Sequence, residues 1–211
     1  MVGAAEGRPL RYAGRAGAEV IFSFKFFLFE WSRPPACFVN SQLKTQNSKL
    51  VLVALGSNLG DSGKIILDAL ASLQKISAAP LLTSSLWQTS PVDCPPDAPK
   101  FLNAVVALTP RAEETPESLL KKLQSLEKEF GRSAKKILNE PRSLDLDLIA
   151  FGNEVRNLPD LILPHPRAHT RRFVLQPLAE IAPALVLPGQ SQTVTQLLAD
   201  LRNDEACVKM P

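Results

Sequence analysis

The apolar positions change rhythm near residue 48. From Met1 to Ser48 no period is sustained, and Gly, Ala and Arg stretches give way to an aromatic cluster of Phe22, Phe24, Phe26, Phe27, Phe29 and Trp31. Beyond that point the pattern is regular. Leu50 to Leu55 is a short apolar run, which reads as a buried strand broken by Gly56-Ser57-Asn58. Ile65, Ile66, Ala69, Leu70 and Leu73 then recur at helical spacing, so a helix is expected from Gly60 to Lys75. Leu81 to Trp87 is rich in strand formers, Pro91-Val92-Asp93-Cys94-Pro95-Pro96 forces a loop, and Phe101 to Leu108 reads as a third strand.

Thr115 followed by Pro116 marks a helix start, with a hydroxyl at the N-cap and proline at the first helical position. Leu119, Leu120, Leu123, Leu126 and Phe130 supply its buried face, and Gly131 ends it. Leu144 to Phe151 reads as a strand, Gly152-Asn153 as a two-residue hairpin turn, and Val155 as the start of the return. Phe173 to Ile181 and Val194 to Leu201 are expected helices. The order strand, helix, strand, strand, helix, strand is the split βαβ pattern. It predicts an α+β, ferredoxin-like fold: an antiparallel sheet with helices packed on it.

Composition sharpens the division of the chain. Of 211 residues, 45% are apolar and 21% charged, enough for a substantial core and unlike a disordered chain. The net charge of +3 belongs to the front: residues 1–50 hold seven basic and three acidic side chains, leaving 17 basic and 18 acidic for the rest. No basic stripe remains on the folding part, so nucleic acid is not an expected partner. Residues 1–48 are expected to be an extension that is disordered or not native. Met1 and Met210 are the only methionines, so a start near Leu50 or Val51 would need a non-AUG codon. The domain is expected over 49–203, with 204–211 a C-terminal tail.

Cys37, Cys94 and Cys207 are odd in number and scattered, which argues against a disulfide framework or structural zinc and for a reducing, cytoplasmic setting. Val20 to Trp31, the longest apolar stretch, is interrupted by Ser23, Lys25 and Glu30 and is too short to cross a bilayer. No membrane partner is expected, and the chain is expected to be a monomer.

The chemistry concentrates in Pro141-Arg142-Ser143-Leu144-Asp145-Leu146-Asp147-Leu148. Residues two apart on a strand share a face, so Asp145 and Asp147 stand side by side, roughly 7 Å apart at the backbone, while Leu144, Leu146 and Leu148 face the core. A solvated stripe on an amphipathic strand would give the same alternation. Aspartate is depleted in strands, however, and two like charges on one face favour a cation between them. All-oxygen ligands suit Mg²⁺, which binds one or two carboxylates together with substrate phosphates. Arg132, Lys135, Lys136, Arg142 and Arg171 are the nearby cations that phosphate chemistry would use, though such a residue is more often a solvated surface charge, Arg142 being the exception because it lies three residues before Asp145. No Walker A motif is present, because Gly63-Lys64 lacks the preceding glycine and the following hydroxyl residue.

Several motifs in order resemble the 6-hydroxymethyl-7,8-dihydropterin pyrophosphokinase family of folate biosynthesis. They are Ala54 to Gly60, Thr89-Ser90-Pro91, Phe101 to Ala104, Gly131-Arg132, Pro141 to Asp147, Pro164-His165-Pro166-Arg167 and Arg171 to Leu175. The resemblance implies transfer of the terminal diphosphate of ATP to the pterin's hydroxymethyl oxygen, with release of AMP. It implies two Mg²⁺ ions on Asp145 and Asp147, catalytic-site arginines at Arg132 and Arg142, and an ATP site lined by Gln124, Glu127, Lys135, Leu148, His165 and Arg171. For the pterin it implies Phe101 and Phe173 as flanking rings, Asn103 as the amide that pairs with the ring edge, and backbone contacts from Thr89 and Val92. One departure is Asn139, where well-known members carry a tryptophan that closes over the pterin; a raised KM is expected. The alternative reading is a catalytically inactive ferredoxin-like module that binds pterin or nucleotide. A pair of mutually repelling carboxylates, which such a module has no need to keep, argues against it.

Overall fold

A computed structural model describes residues 50–90, 99–132, 141–202 and 206–211. The expectations for residues 1–48, and those for Val92, Cys94, Lys135, Lys136 and Asn139, lie outside the described residues.

The first strand, β1 (Val51–Ser57), is buried along its whole length because both of its faces are covered. Val51, Val53 and Leu55 face one core, with Ile66, Leu73, Leu119 and Leu123. Leu52 and Ala54 face a second, with Val174, Leu175, Leu178 and Leu197. This explains why β1 reads as a continuous apolar run and not as an alternating one. Each fully buried leucine or valine contributes about 1.5–3 kcal/mol relative to exposure.

The first core is closed by α1 (Ser62–Ile76) and α2 (Pro116–Glu129). Helix α1 starts two residues later than its periodicity suggested, because Gly60 takes a left-handed turn (φ +77°) and the Asp61 carboxylate caps by accepting Lys64 N–H at 3.1 Å. Helix α2 begins as expected, with Thr115 Oγ1 accepting from Ser118 N–H at 3.2 Å and Ser118 Oγ accepting from Thr115 N–H at 2.9 Å. It ends before Gly131, whose φ of +89° suits glycine.

Short strands β2 (Leu82–Thr83) and β3 (Trp87–Thr89) both pair with β4 (Phe101–Leu108), and β4 pairs with β1. On the other side of β1 lies β5 (Asp145–Phe151). All pairings are antiparallel, and the order β5-β1-β4-β3 with the helices between is the ferredoxin-like arrangement. A β-bulge at Ile149 shifts the register of β5 on β1. Leu146, Leu148 and Phe151 therefore face the first core, while Ile149 and Ala150 face the second.

Two expectations need correction. The chain after Gly152 does not return along β5. Glu154 N–H bonds Phe151 O in a turn, and β6 (Arg156–Leu158) instead pairs with β7 (Leu161–Leu163) around Pro159-Asp160. Ile149 O meanwhile accepts from His165 N–H at 2.8 Å, so the 165 segment lies where the return was expected. Secondly, Cys207–Lys209, inside the expected tail, is a strand (β8) that pairs with β3. Its three residues carry no periodicity that a sequence could reveal.

The second core is closed by α3 (Arg172–Ile181) and α4 (Val194–Asp200). Among the described residues no helix is long and apolar enough to cross a membrane.

Candidate active site

The site is built on the sheet face that carries α3, at the end where β1 finishes. Gly56 is the register partner of Asn103 on β4 and of Asp145 on β5, which sets those three residues in a row across three strands. A Cβ at position 56 would lie 3.1 Å from Asn103 Oδ1, 3.9 Å from the Phe101 ring and 4.0 Å from Asp145 Cβ. Glycine thus leaves a shallow floor between an amide on one side and a carboxylate on the other. Asp147 follows on the same face, opposite Ala54.

Asp145 is held by two arginines, both on Oδ1: Arg142 Nη1 at 2.8 Å and Arg132 Nη1 at 3.4 Å. Arg171 Nη1 lies 3.6 Å from Asp147 Oδ2, and its guanidinium sits over the Phe173 ring, 5.3 Å from the centroid. No described residue hydrogen-bonds Asp145 Oδ2 or Asp147 Oδ1. Burial, followed by the charge of Asp145, pushes the Asp147 pKa above the ordinary aspartate value, against the pull of His165, Arg171 and Arg142. Burial works against the charge on Arg142, but Asp145 raises its pKa further.

Glu127 on α2 is 3% exposed. Its Oε1 accepts from Leu146 N–H at 2.9 Å, between the two aspartates, and also takes the Arg132 guanidinium. Burial raises its pKa. The carboxylate therefore braces the dyad's strand and one of its arginines together. His165 follows a cis Leu163-Pro164 bond; its backbone N–H is tied to Ile149, and its Nδ1 accepts from Arg167 N–H at 3.2 Å. With Nδ1 accepting, the neutral ring carries its proton on Nε2 and offers a donor there. Burial lowers its pKa, with Asp147 opposing.

Across Gly56, Asn103 Nδ2 donates to Thr89 Oγ1 at 2.7 Å, and both residues are buried. Asn103 Oδ1 accepts from no described residue and faces the Gly56 floor. A buried acceptor without a partner costs free energy unless a ligand supplies a donor. Phe101 pairs with Thr89 and is half-buried, as is Phe173 at the start of α3.

The structure thus gathers Arg132, Arg142, Asp145, Asp147, His165, Arg171 and Glu127 on one side, and Thr89, Phe101, Asn103 and Phe173 beside them. Leu148 faces the first core, away from the dyad, and Gln124 is exposed on α2. Sequence reading gave no role to Gly56 or Asn58. Their Gly-Ser-Asn run looked like a strand breaker, and their partners lie far along the chain.

Residues 52–183 match the family described as 7,8-dihydro-6-hydroxymethylpterin-pyrophosphokinase (HPPK). The chain belongs to this family. It is 40% identical over 146 residues to the 2-amino-4-hydroxy-6-hydroxymethyldihydropteridine pyrophosphokinase of Haemophilus influenzae, covering 69% of this chain and 89% of that protein. The enzyme of the same name from Pseudomonas aeruginosa is 40% identical over 150 residues, covering 71% and 90%. Folic acid synthesis protein fol1 of Pneumocystis carinii is 39% identical over 183 residues; the match takes in 85% of this chain but only 23% of that longer protein. Among solved structures, a Plasmodium falciparum HPPK-DHPS triple mutant with pteroate superposes at a TM-score of 0.55 with 14% identity, over 71% of this chain and 42% of that one. That likeness is one of fold, and it agrees with the ferredoxin-like arrangement.

HPPK chemistry needs a place for a metal–nucleotide, and the donor set fits Mg²⁺. Among the described residues no group of three or more His, Cys, Asp or Glu forms a protein cage. The face carries two carboxylates, each with an oxygen free of described partners, and a Mg²⁺ held there would take its remaining positions from phosphate oxygens and water.

Proposed function

We propose that this HPPK-family chain transfers the diphosphate of ATP to the hydroxymethyl oxygen of 6-hydroxymethyl-7,8-dihydropterin, with the residues of this face in defined roles. The observation that carries the reading is the row Asn103, Gly56, Asp145, in which a buried amide with a free acceptor and a carboxylate dyad ringed by arginines flank a glycine; this supports seating a flat heterocycle on the Asn103 side.

Asn103, with one amide end fixed by Thr89, presents Oδ1 to the heterocycle's N–H groups, and Phe101 and Phe173 flank its faces, worth about 1 kcal/mol per ring. Gly56 leaves room for the hydroxymethyl arm to pass from that pocket toward Asp145. Asp145 and Asp147 would hold two Mg²⁺ ions, which when bound neutralise polyphosphate charge and polarise the phosphorus under attack.

The pterin oxygen bonds to the β-phosphorus, the bond from that phosphorus to the bridging α–β oxygen breaks, and AMP leaves with that oxygen. The hydroxyl proton passes to solvent. Arg142 and Arg132, already poised at Asp145 Oδ1, stabilise negative charge on the transferring group. Arg171 and the Nε2–H of His165 serve the nucleotide phosphates from the Asp147 side. Lys135 and Val92 are assigned to the nucleotide and the pterin from the family resemblance alone. We place the enzyme in the cytoplasm as a monomer.

The test is AMP release from ATP with the pterin present or withheld, with and without Mg²⁺. AMP that needs both pterin and metal is the expected result. AMP formed without either, or none at all, contradicts the reading.

A further inference from the structure

Asn58, the residue after β1, is 5% exposed and has no part in the chemistry above. Its backbone N–H donates to Arg142 O at 3.1 Å, and its side-chain Oδ1 accepts from Arg142 N–H at 2.8 Å. One asparagine therefore satisfies both backbone polar groups of an arginine 84 positions away. Its Nδ2 reaches Pro99 O at 3.5 Å, on the segment that leads into Phe101. The Arg142 side chain then runs to Asp145 Oδ1 at 2.8 Å.

A long, rotamer-rich side chain aims its guanidinium reproducibly only if its Cα is fixed. Strand pairing does not provide this, since Arg142 lies outside β5 and directly follows Pro141, which has no backbone N–H to donate. The bonds that anchor it come from the end of β1, an interior strand buried along its whole length beside β5. We propose that Asn58 is a positioning residue that acts through Arg142, locking its backbone so that the guanidinium meets Asp145 and the transferring phosphoryl group. This rests on the pyrophosphokinase reading above, and the Pro99 bond ties the pterin side to the same anchor.

The test is a double-variant cycle with Asn58→Ala and Arg142→Ala, measured as pterin-dependent AMP release and accompanied by thermal melts. If Asn58 works by aiming Arg142, Asn58→Ala lowers kcat about tenfold or more, while either KM changes less than about threefold. The double variant is then no slower than Arg142→Ala alone. Effects that multiply in the double variant, or a change confined to KM or to melting temperature, overturn the proposal. Asn58→Asp keeps the oxygen acceptor and is expected to recover most of kcat; equal impairment of Asp and Ala variants also overturns it. Should Asn58→Ala not fold, Asn58→Ser, too short to bridge, takes its place in the cycle.

A readout without turnover separates this proposal from the functional reading. The ¹H–¹⁵N signal of Arg142 Nε, assigned by its loss in Arg142→Ala, is dispersed in the wild type and collapses toward the solvent-exposed arginine position in Asn58→Ala. An unchanged signal refutes the positioning role even if the wild type releases no AMP. Absence of AMP with a collapsed signal refutes only the pyrophosphokinase reading.

Discussion

At the scale of single residues, the site is a compromise between charge and burial. Asp147 carries a negative charge where burial and Asp145 both disfavour it, so its ionised form costs stability unless a cation answers it. For an acid whose folded pKa is raised, the penalty is fully present above the folded pKa and is relieved as pH falls through it. Asp147→Asn is therefore expected to raise the metal-free melting temperature at neutral pH, and the gain shrinks as the buffer is acidified. On the proposed roles the same variant loses turnover by roughly 10³-fold or more, because a carboxylate assigned to hold the metal–nucleotide is gone. Melting scans across pH, paired with AMP assays, check both halves. Gly56 yields a complementary prediction: the Cβ of Gly56→Ala, 3.1 Å from Asn103 Oδ1, displaces an amide already pinned at Thr89. The KM for pterin is expected to rise about tenfold while that for ATP moves far less, as separate substrate titrations would show.

At the scale of elements, Glu180 on α3 ties that helix to two sheet strands. It accepts from Ser85 N–H and Ser85 Oγ, each at 2.9 Å, from Trp87 Nε1 at 3.2 Å and from Lys209 Nζ at 3.0 Å. Burial opposes its charge, but these donors hold its pKa down at about 2. A depressed carboxylate pKa contributes stability that is present above the ordinary glutamate value of 4.5 and is lost as pH falls toward about 2. Glu180→Ala should cost about 2–3 kcal/mol near neutrality, since it strands several donors, and should flatten the acid limb of the stability profile. Denaturant unfolding at a series of pH values measures this.

What was legible in the sequence follows from how local each signal is. The cap of α2, the alternation of Asp145 and Asp147 and the helical stripe of α1 are set by residues a few positions apart. The bulge at Ile149, the strand at Cys207–Lys209 and the anchor at Asn58 arise from partners tens of residues away, and no nearby residue records them. The expected return strand at Val155 failed because the chain instead pairs with itself around Pro159-Asp160, and His165 N–H takes Ile149 O on the edge of β5.

At the scale of the whole molecule, the six-stranded sheet of the described residues, with helices packed on both faces, positions chemistry along a row across three adjacent strands. Strand β4 brings the amide, β1 the gap and β5 the dyad, while α2, α3 and the 165 segment converge on them with Glu127, Arg171 and His165. The account is tested most directly by anomalous diffraction from a crystal soaked with Mn²⁺ and a non-hydrolysable ATP analogue. It predicts metal peaks bonded to both Asp145 and Asp147 and bridged to the analogue's phosphates. Carboxylates left in their arginine pairs, with the metal bound elsewhere, would contradict it.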